Sequence, residues 1–130
     1  IFGLSKQLGV SNITETTDEK SLILKSGLSG LDIVTAGTTP TGGHSLFYSE
    51  SFNRFLASTA EQADLIIIDA PAILESTEAL VLATKVEGVL LIVQEGTSRV
   101  KVAEALHHLK TVNANILGVA LNEYSKFPFK

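Results

Sequence analysis

Short apolar runs recur along the chain, and each is bounded by polar or turn-forming residues. The clearest runs cover residues 64–69 (DLIIID), 88–94 (GVLLIVQ) and 115–122 (NILGVALN), and a more polar run covers residues 31–36 (LDIVTA). Continuous aliphatic runs of this length are typical of strands covered on both faces, as in a parallel sheet. The pattern therefore predicts four strands.

Segments with helical periodicity separate these runs. Residues 49–61 carry an apolar stripe at helical spacing, residues 76–86 are apolar on nearly every side, and residues 99–112 carry one apolar face. Two shorter helices are also predicted, over residues 4–9 and 18–25.

The alternation of strands with helices predicts right-handed β–α–β units. We expect a single α/β domain over residues 1–130, built as a three-layer αβα arrangement around a mostly parallel sheet.

Composition narrows the classes of function. The chain has 130 residues, of which 45% are hydrophobic, so it can bury the core of one domain. It contains no cysteine, which excludes thiolate metal sites and cysteine nucleophiles. Its formal net charge of -4 opposes binding to nucleic-acid phosphates, so we expect no nucleic-acid partner.

The ends of the chain suggest an excised piece. No apolar run approaches the roughly 20 residues that span a bilayer, and no secretory leader opens the sequence. The first residue is Ile1 and the chain contains no methionine. We expect the sequence to be part of a longer reading frame.

Asp69 is the strongest candidate for chemistry. It ends the apolar run 65–68, at the strand edge where open α/β sheets bind ligands, and Pro71 then turns the chain away. A carboxylate in that position commonly holds Mg²⁺ beside the phosphates of a nucleotide. The alternative is an aspartate that merely caps the next loop, and the pattern alone does not separate the two.

A phosphate-binding loop would separate them, and the sequence contains none. The pattern G-x-x-x-x-G-K-[ST], whose backbone amides wrap phosphates, does not occur, and neither does G-x-G-x-x-G. The glycine-containing loop of residues 41–45 (TGGHS) has no lysine. We therefore expect this chain alone to bind no nucleotide tightly.

Several segments taken together resemble a known family. They are Phe2–Leu4 (FGL), Gly30–Gly37 (GLDIVTAG), Ala63–Pro71 (ADLIIIDAP), Gly88–Val93 (GVLLIV) and Ile116–Asn122 (ILGVALN). In this order the set resembles the cytoplasmic ATPase domain of bacterial tyrosine kinases, the capsular and exopolysaccharide chain-length determinant family. These domains are P-loop NTPases of the deviant-Walker class, which also includes the MinD and ParA partitioning ATPases.

The resemblance implies that the chain begins after the Walker A and Walker A′ segments, so the fold is incomplete at its N-terminus. Asp69 then matches the Walker B aspartate, with catalytic, cofactor-binding and metal-binding roles. Asn122 matches an asparagine that contacts adenine in the wider class; the alternative is a strand-end turn former. The cofactors implied for the intact parent are ATP and Mg²⁺.

The function implied is that of a fragment of an ATP-binding tyrosine-kinase-like domain that regulates capsule, exopolysaccharide or lipopolysaccharide biosynthesis and export. We expect the fragment to be inactive alone. One alternative is a degenerate, non-catalytic module of polysaccharide export, and another is a fragment of a partitioning ATPase. Tyr48 and Tyr124 are expected to be partly buried and structural rather than phosphorylated.

The implied location is the cytoplasm, at the inner face of the plasma membrane. The implied partner is a polysaccharide-export membrane protein or the parent's own membrane segment. Because a strand would be missing from within the sheet, we also expect association with a second copy of the chain.

Overall fold

The computed structural model describes residues 8–13, 19–37 and 46–122. The elements in these ranges are 3-10 helices at Val10–Asn12 and Glu19–Leu22, strands β1 (Leu24–Lys25) and β2 (Asp32–Ile33), helices α1 (Glu50–Ala60) and α2 (Thr77–Ala83), strand β3 (Val89–Gln94), helix α3 (Arg99–Thr111) and strand β4 (Ile116–Asn122). The predicted short helix over residues 4–9 lies almost wholly outside the described residues, and the glycine-containing loop of residues 41–45 lies wholly outside them.

The chain divides into two compact units, residues 1–68 and residues 69–130. The single domain expected over residues 1–130 stays a prediction.

A small antiparallel pair organises residues 19–37 of the first unit. Strand β1 pairs with β2, and an ion pair of 2.8 Å joins Lys25 to Asp32 across the pair. In its described part, the helix predicted over residues 18–25 forms only as a 3-10 helix at Glu19–Leu22, because strand β1 follows. The strand predicted over residues 31–36 shortens to two residues, since only those two pair with β1.

A buried asparagine lies where residues 9–12 meet residues 35–37. Asn12 is 3% exposed, and its Oδ1 accepts a hydrogen bond of 3.1 Å from the Gly9 amide. The Val10 amide donates to the Thr35 carbonyl at 2.8 Å. Backbone hydrogen bonds therefore join two segments that are distant in sequence, and the Asn12 side chain bonds within the first of them.

Gly37 lies against the side chains of Ser11 and Asn12 in this contact. We therefore expect Gly37→Ala to destabilise the first unit more than Gly27→Ala does. Both glycines have a positive φ, 93° and 83°, so alanine is strained at either position by about 1 kcal/mol or more. A methyl group at Gly37 would also collide with the side-chain oxygens of Ser11 and Asn12, whereas the space around Gly27 is open. Urea denaturation of the two variants provides the comparison. Equal losses of stability would show that the collision is relieved at no cost.

Helix α1 forms as its periodicity predicts. Ser49 precedes it and accepts a hydrogen bond of 3.1 Å from the Phe52 amide, which caps the helix. Phe52 and Phe55 are buried on one face. The ring of Phe47 meets that of Phe52 edge to face, with 5.0 Å between centroids. The helix predicted over residues 49–61 is therefore confirmed.

The second unit contains a β–α–β crossover in which α3 connects β3 to β4. The two strands are parallel, with Leu90 opposite Gly118 and Ile92 opposite Ala120. Helix α3 buries Ala105 and Leu109 on one face. Helix α2 buries four residues of its seven, as expected for a segment that is apolar on nearly every side. Helices and a parallel sheet are thus confirmed, whereas the three-layer arrangement stays a prediction.

The strand predicted over residues 64–69 is wrong in this structure. Leu65 is 75% exposed and Ile67 is 84% exposed. Among the described residues, no backbone group of residues 65–70 takes part in a backbone hydrogen bond. An aliphatic run becomes a strand only where a neighbouring strand accepts and donates its hydrogen bonds, and the described residues supply no such neighbour.

Candidate functional site

Asp69 lies at the surface, directly after the unpaired segment 65–68. Its side chain is exposed, and within the described ranges its carboxylate makes neither a hydrogen bond nor an ion pair. Beyond Pro71 the chain turns, and the Ala72 carbonyl accepts from the amides of Glu75 at 2.9 Å and Ser76 at 3.1 Å. Ser76 then caps α2 by accepting from the Glu78 amide. Asp69 is therefore available to an external ligand, although no buried strand presents it.

Asn122 ends β4 at the carboxyl edge of the parallel pair. Its partner in register is Gln94, the last residue of β3, and the Asn122 carbonyl accepts from the Glu95 amide at 3.1 Å. The Asn122 side chain is exposed. Open α/β sheets bind ligands at the carboxyl edges of their parallel strands, and Asn122 lies at that edge of the β3–β4 pair.

Sequence reasoning missed Gln94 at this edge. The turn after it contains Gly96, with a φ of 83°, and a hydrogen bond of 3.1 Å from the Thr97 amide to the Gln94 carbonyl. Ser98 then caps α3 by accepting from the Lys101 amide at 3.3 Å. The signal that identified Asn122, a polar residue ending an apolar run, applies equally to Gln94.

The structure does not join the two predicted site residues. In the part of the chain that is described, no hydrogen bond connects Asp69 with Asn122, and no group of three or more His, Asp or Glu side chains could hold a metal ion. Magnesium prefers six oxygen ligands. Asp69 fits as one of them, and the others would have to come from phosphate and water.

The fit to a magnesium–ATP complex is therefore partial. The Asp69 carboxylate is a suitable hard ligand, and the Asn122 amide offers the donor and acceptor that a purine edge requires. The sequence contains no lysine-bearing glycine loop that could wrap the phosphates. The described residues thus fit only part of what a magnesium–ATP complex requires.

Tyr48 is 69% exposed, so its expected partial burial is wrong, and Tyr124 lies outside the described residues. Among the described helices, none combines the length and the apolar character needed to cross a membrane.

Comparisons with curated proteins identify relatives along nearly the whole chain. It is 32% identical over 126 residues to a putative tyrosine-protein kinase, CapB, of Staphylococcus aureus, which covers 95% of this chain and 55% of that protein. It is 27% identical over 124 residues to the tyrosine-protein kinase Etk of Escherichia coli, covering 94% of this chain and 17% of that one. The chain thus spans about half the length of its relatives, or less. It matches no family model.

Solved structures give the same result for the fold. The VpsO kinase domain superimposes with a TM-score of 0.87 at 31% identity, over 95% of this chain and 63% of that chain. The kinase domain of Escherichia coli Etk superimposes with a TM-score of 0.89 at 25% identity, over 99% of this chain and 51% of that one. The resemblance predicted from the sequence is confirmed: along nearly its whole length, this chain is a relative of the bacterial tyrosine-protein kinases.

Proposed function

We propose that this chain is the distal part of an ATP-binding tyrosine kinase domain that acts in capsule, exopolysaccharide or lipopolysaccharide biosynthesis and export. The observation that carries the proposal is the similarity to tyrosine-protein kinases over 94–95% of the chain, together with TM-scores of 0.87 and 0.89 to two kinase domains. The relatives reported above are tyrosine kinases, which favours this function over that of a partitioning ATPase.

Two residues carry the roles proposed for this chain. Asp69 acts as the Walker B aspartate and supplies a carboxylate oxygen to Mg²⁺; its exposure and its lack of a partner among the described residues support this role. Asn122 presents its amide to adenine from the carboxyl edge of β4. ATP bound with Mg²⁺ supplies the phosphoryl group that passes to a tyrosine hydroxyl, a reaction that depends on positioning and charge neutralisation.

The phosphate-binding loop is proposed to come from polypeptide outside this sequence. We place the complete domain in the cytoplasm, at the inner face of the plasma membrane, with a polysaccharide-export membrane protein or the parent's own membrane segment as its partner. The complete domain is also proposed to associate with further copies of itself.

A second candidate is a non-catalytic module that keeps the fold and docks onto the export machinery. The absence of a phosphate-binding loop from this sequence favours it. The two candidates differ in one measurable property, because only the first requires that the chain transfer phosphate once a phosphate-binding loop is supplied.

The purified chain alone is expected to show no ATP turnover, because its sequence contains no phosphate-binding loop motif. For comparison, we define the hybrid domain as the VpsO kinase domain in which the matched residues are replaced by this chain. The hybrid domain is expected to phosphorylate tyrosine in the presence of ATP and Mg²⁺. The measurements are phosphate release by the chain alone and phosphotyrosine formation by the hybrid domain.

Two results would contradict these expectations. ATP turnover by the chain alone, abolished by Asp69→Asn, would show that it holds a complete nucleotide site. A hybrid domain that folds but forms no phosphotyrosine would favour the non-catalytic module.

A further inference from the structure

We propose that Tyr48 is a phosphorylation site, whose hydroxyl accepts the γ-phosphoryl group of ATP from a complete kinase domain of this family. The inference rests on the proposed function, because it names a residue on which that kinase acts. It replaces the structural role that the sequence favoured for Tyr48, since the partial burial expected for that role is not observed.

The side chain of Tyr48 reaches into solvent. It is 69% exposed, whereas tyrosine in folded proteins is commonly half-buried. A buried tyrosine usually has a hydrogen-bond partner for its hydroxyl, and in the part of the chain that is described the Tyr48 hydroxyl has none. Neither burial nor hydrogen bonding among those residues therefore accounts for a tyrosine at this position.

Local contacts hold the backbone on both sides of Tyr48. The Ser49 amide donates to the Leu46 carbonyl at 2.9 Å, which closes a tight turn around Phe47 and Tyr48. The ring of Phe47 packs edge to face against the ring of Phe52, which is 3% exposed. Ser49 also caps α1 by accepting from the Phe52 amide at 3.1 Å. Tyr48 is therefore the exposed residue of an anchored turn.

An anchored and exposed tyrosine meets the steric requirement for a phosphoryl acceptor. The acceptor oxygen has to approach the γ-phosphorus in line with the leaving oxygen, so the phenol must enter the active site of the kinase. A tyrosine packed in a core reaches such a site only after local unfolding. Tyr48 reaches it from the folded state, because little of its side chain is buried and no described hydrogen bond has to break.

The surroundings of Tyr48 are those of a surface that stays in water. The exposed positions in the first turns of α1 are Glu50, Asn53 and Arg54, all polar or charged. The buried face of the helix lies on the opposite side. Surfaces that other parts of a protein cover are typically apolar, and this one is not. We therefore expect Tyr48 to stay exposed in the complete domain.

The transfer balances without a further reactant. The bond between the γ-phosphorus and the oxygen that bridges it to the β-phosphate breaks, and a bond forms between that phosphorus and the Tyr48 Oη. ADP leaves with the bonding electron pair, and the phenol proton passes to water. Because a phosphotyrosine carries about −1.5 to −2 charges at pH 7, the product is more acidic than the unmodified chain, whose formal net charge is -4.

Phosphate transfer to the purified chain tests this proposal, because the chain contains only two tyrosines, Tyr48 and Tyr124. The chain is incubated with ATP, Mg²⁺ and the VpsO kinase domain, at an enzyme concentration that phosphorylates a glutamate–tyrosine copolymer. Phosphopeptide mapping is expected to place phosphate on Tyr48. Tyr48→Phe is expected to abolish this signal, and the matched change Tyr124→Phe is expected to leave it unaltered.

The Tyr48→Phe variant is expected to fold as the unmodified chain does. The substitution keeps the ring and removes a hydroxyl that has no partner among the described residues, so the Tm and the far-ultraviolet circular dichroism spectrum should not change. Absence of phosphate from Tyr48, under conditions in which the copolymer is modified, would overturn the proposal. Phosphate found on Tyr124 alone would overturn it as well.

The same mapping in the hybrid domain separates this inference from the proposed function. Phosphotyrosine that forms in the hybrid domain only at positions other than Tyr48 would overturn the acceptor site and leave the kinase function standing. Phosphate placed on Tyr48 by the VpsO kinase domain, with no phosphotyrosine formed by the hybrid domain, would support the acceptor site and contradict the kinase function.

Discussion

Replacing Asp69 with asparagine is expected to lower the rate of tyrosine phosphorylation by the hybrid domain by about 10²–10³-fold. The substitution keeps the size of the side chain but removes the negative charge that a magnesium ligand provides. Because Asp69 is exposed and its carboxylate has no partner among the described residues, the fold does not depend on it. The measurement is the initial rate of phosphotyrosine formation at saturating ATP and Mg²⁺.

Asp64→Asn is the matched control for this prediction. Asp64 is also exposed, and it lies at the other end of the apolar run, so the same chemical change is made away from the proposed metal. Its rate is expected to equal that of the unmodified hybrid domain, and both variants are expected to keep its Tm. An equal loss of rate in the two variants would mean that the overall negative charge of the region, and not a metal contact at position 69, supports the reaction.

Helices were the most predictable part of the fold, because the information that defines them is local. The spacing of Phe52 and Phe55 predicts the buried face of α1, and Ser49 supplies its cap. The same holds for α3, where Leu109 lies on the predicted apolar face and Ser98 supplies the cap. Each of these features depends on residues within a few turns of one another.

Strands were less predictable, since pairing depends on residues that are distant in the chain. The apolar runs of β3 and β4, which α3 connects, pair in parallel with each other, and both form strands as predicted. Residues 65–68 are equally aliphatic but have no strand partner among the described residues. The pattern of an aliphatic run indicates that it suits a buried strand, but it does not show whether a partner strand is present to pair with it.

The sequence indicated which residues belong to the candidate site but not how they are arranged in space. Polar residues that end apolar runs indicated Asp69 and Asn122, and both are exposed in the structure. Gln94 carries the same signal and lies beside Asn122 in register, although it was not predicted. Whether Asp69 approaches that edge depends on how residues 65–68 are held, which the sequence of this chain does not determine.

Leu109→Ala is expected to reduce the free energy of unfolding by about 2.5–5 kcal/mol, the largest change in stability predicted here. Leu109 is 1% exposed in the last turn of α3, and the amide of Ala114 donates to its carbonyl at 3.0 Å. Truncation removes most of the buried side chain and leaves a cavity beneath the helix. The free energy of unfolding of such domains is only about 5–15 kcal/mol, so the substitution removes a large fraction of it.

Urea denaturation followed by far-ultraviolet circular dichroism measures this change, with Val100→Ala as the control. Val100 lies in the first turn of the same helix and is 76% exposed, so its truncation creates no cavity. The control is expected to change the free energy of unfolding by no more than about 0.5 kcal/mol. A loss at Leu109 no larger than that at Val100 would contradict the packing of α3 described above, because a side chain that is buried in the folded state cannot be removed without cost.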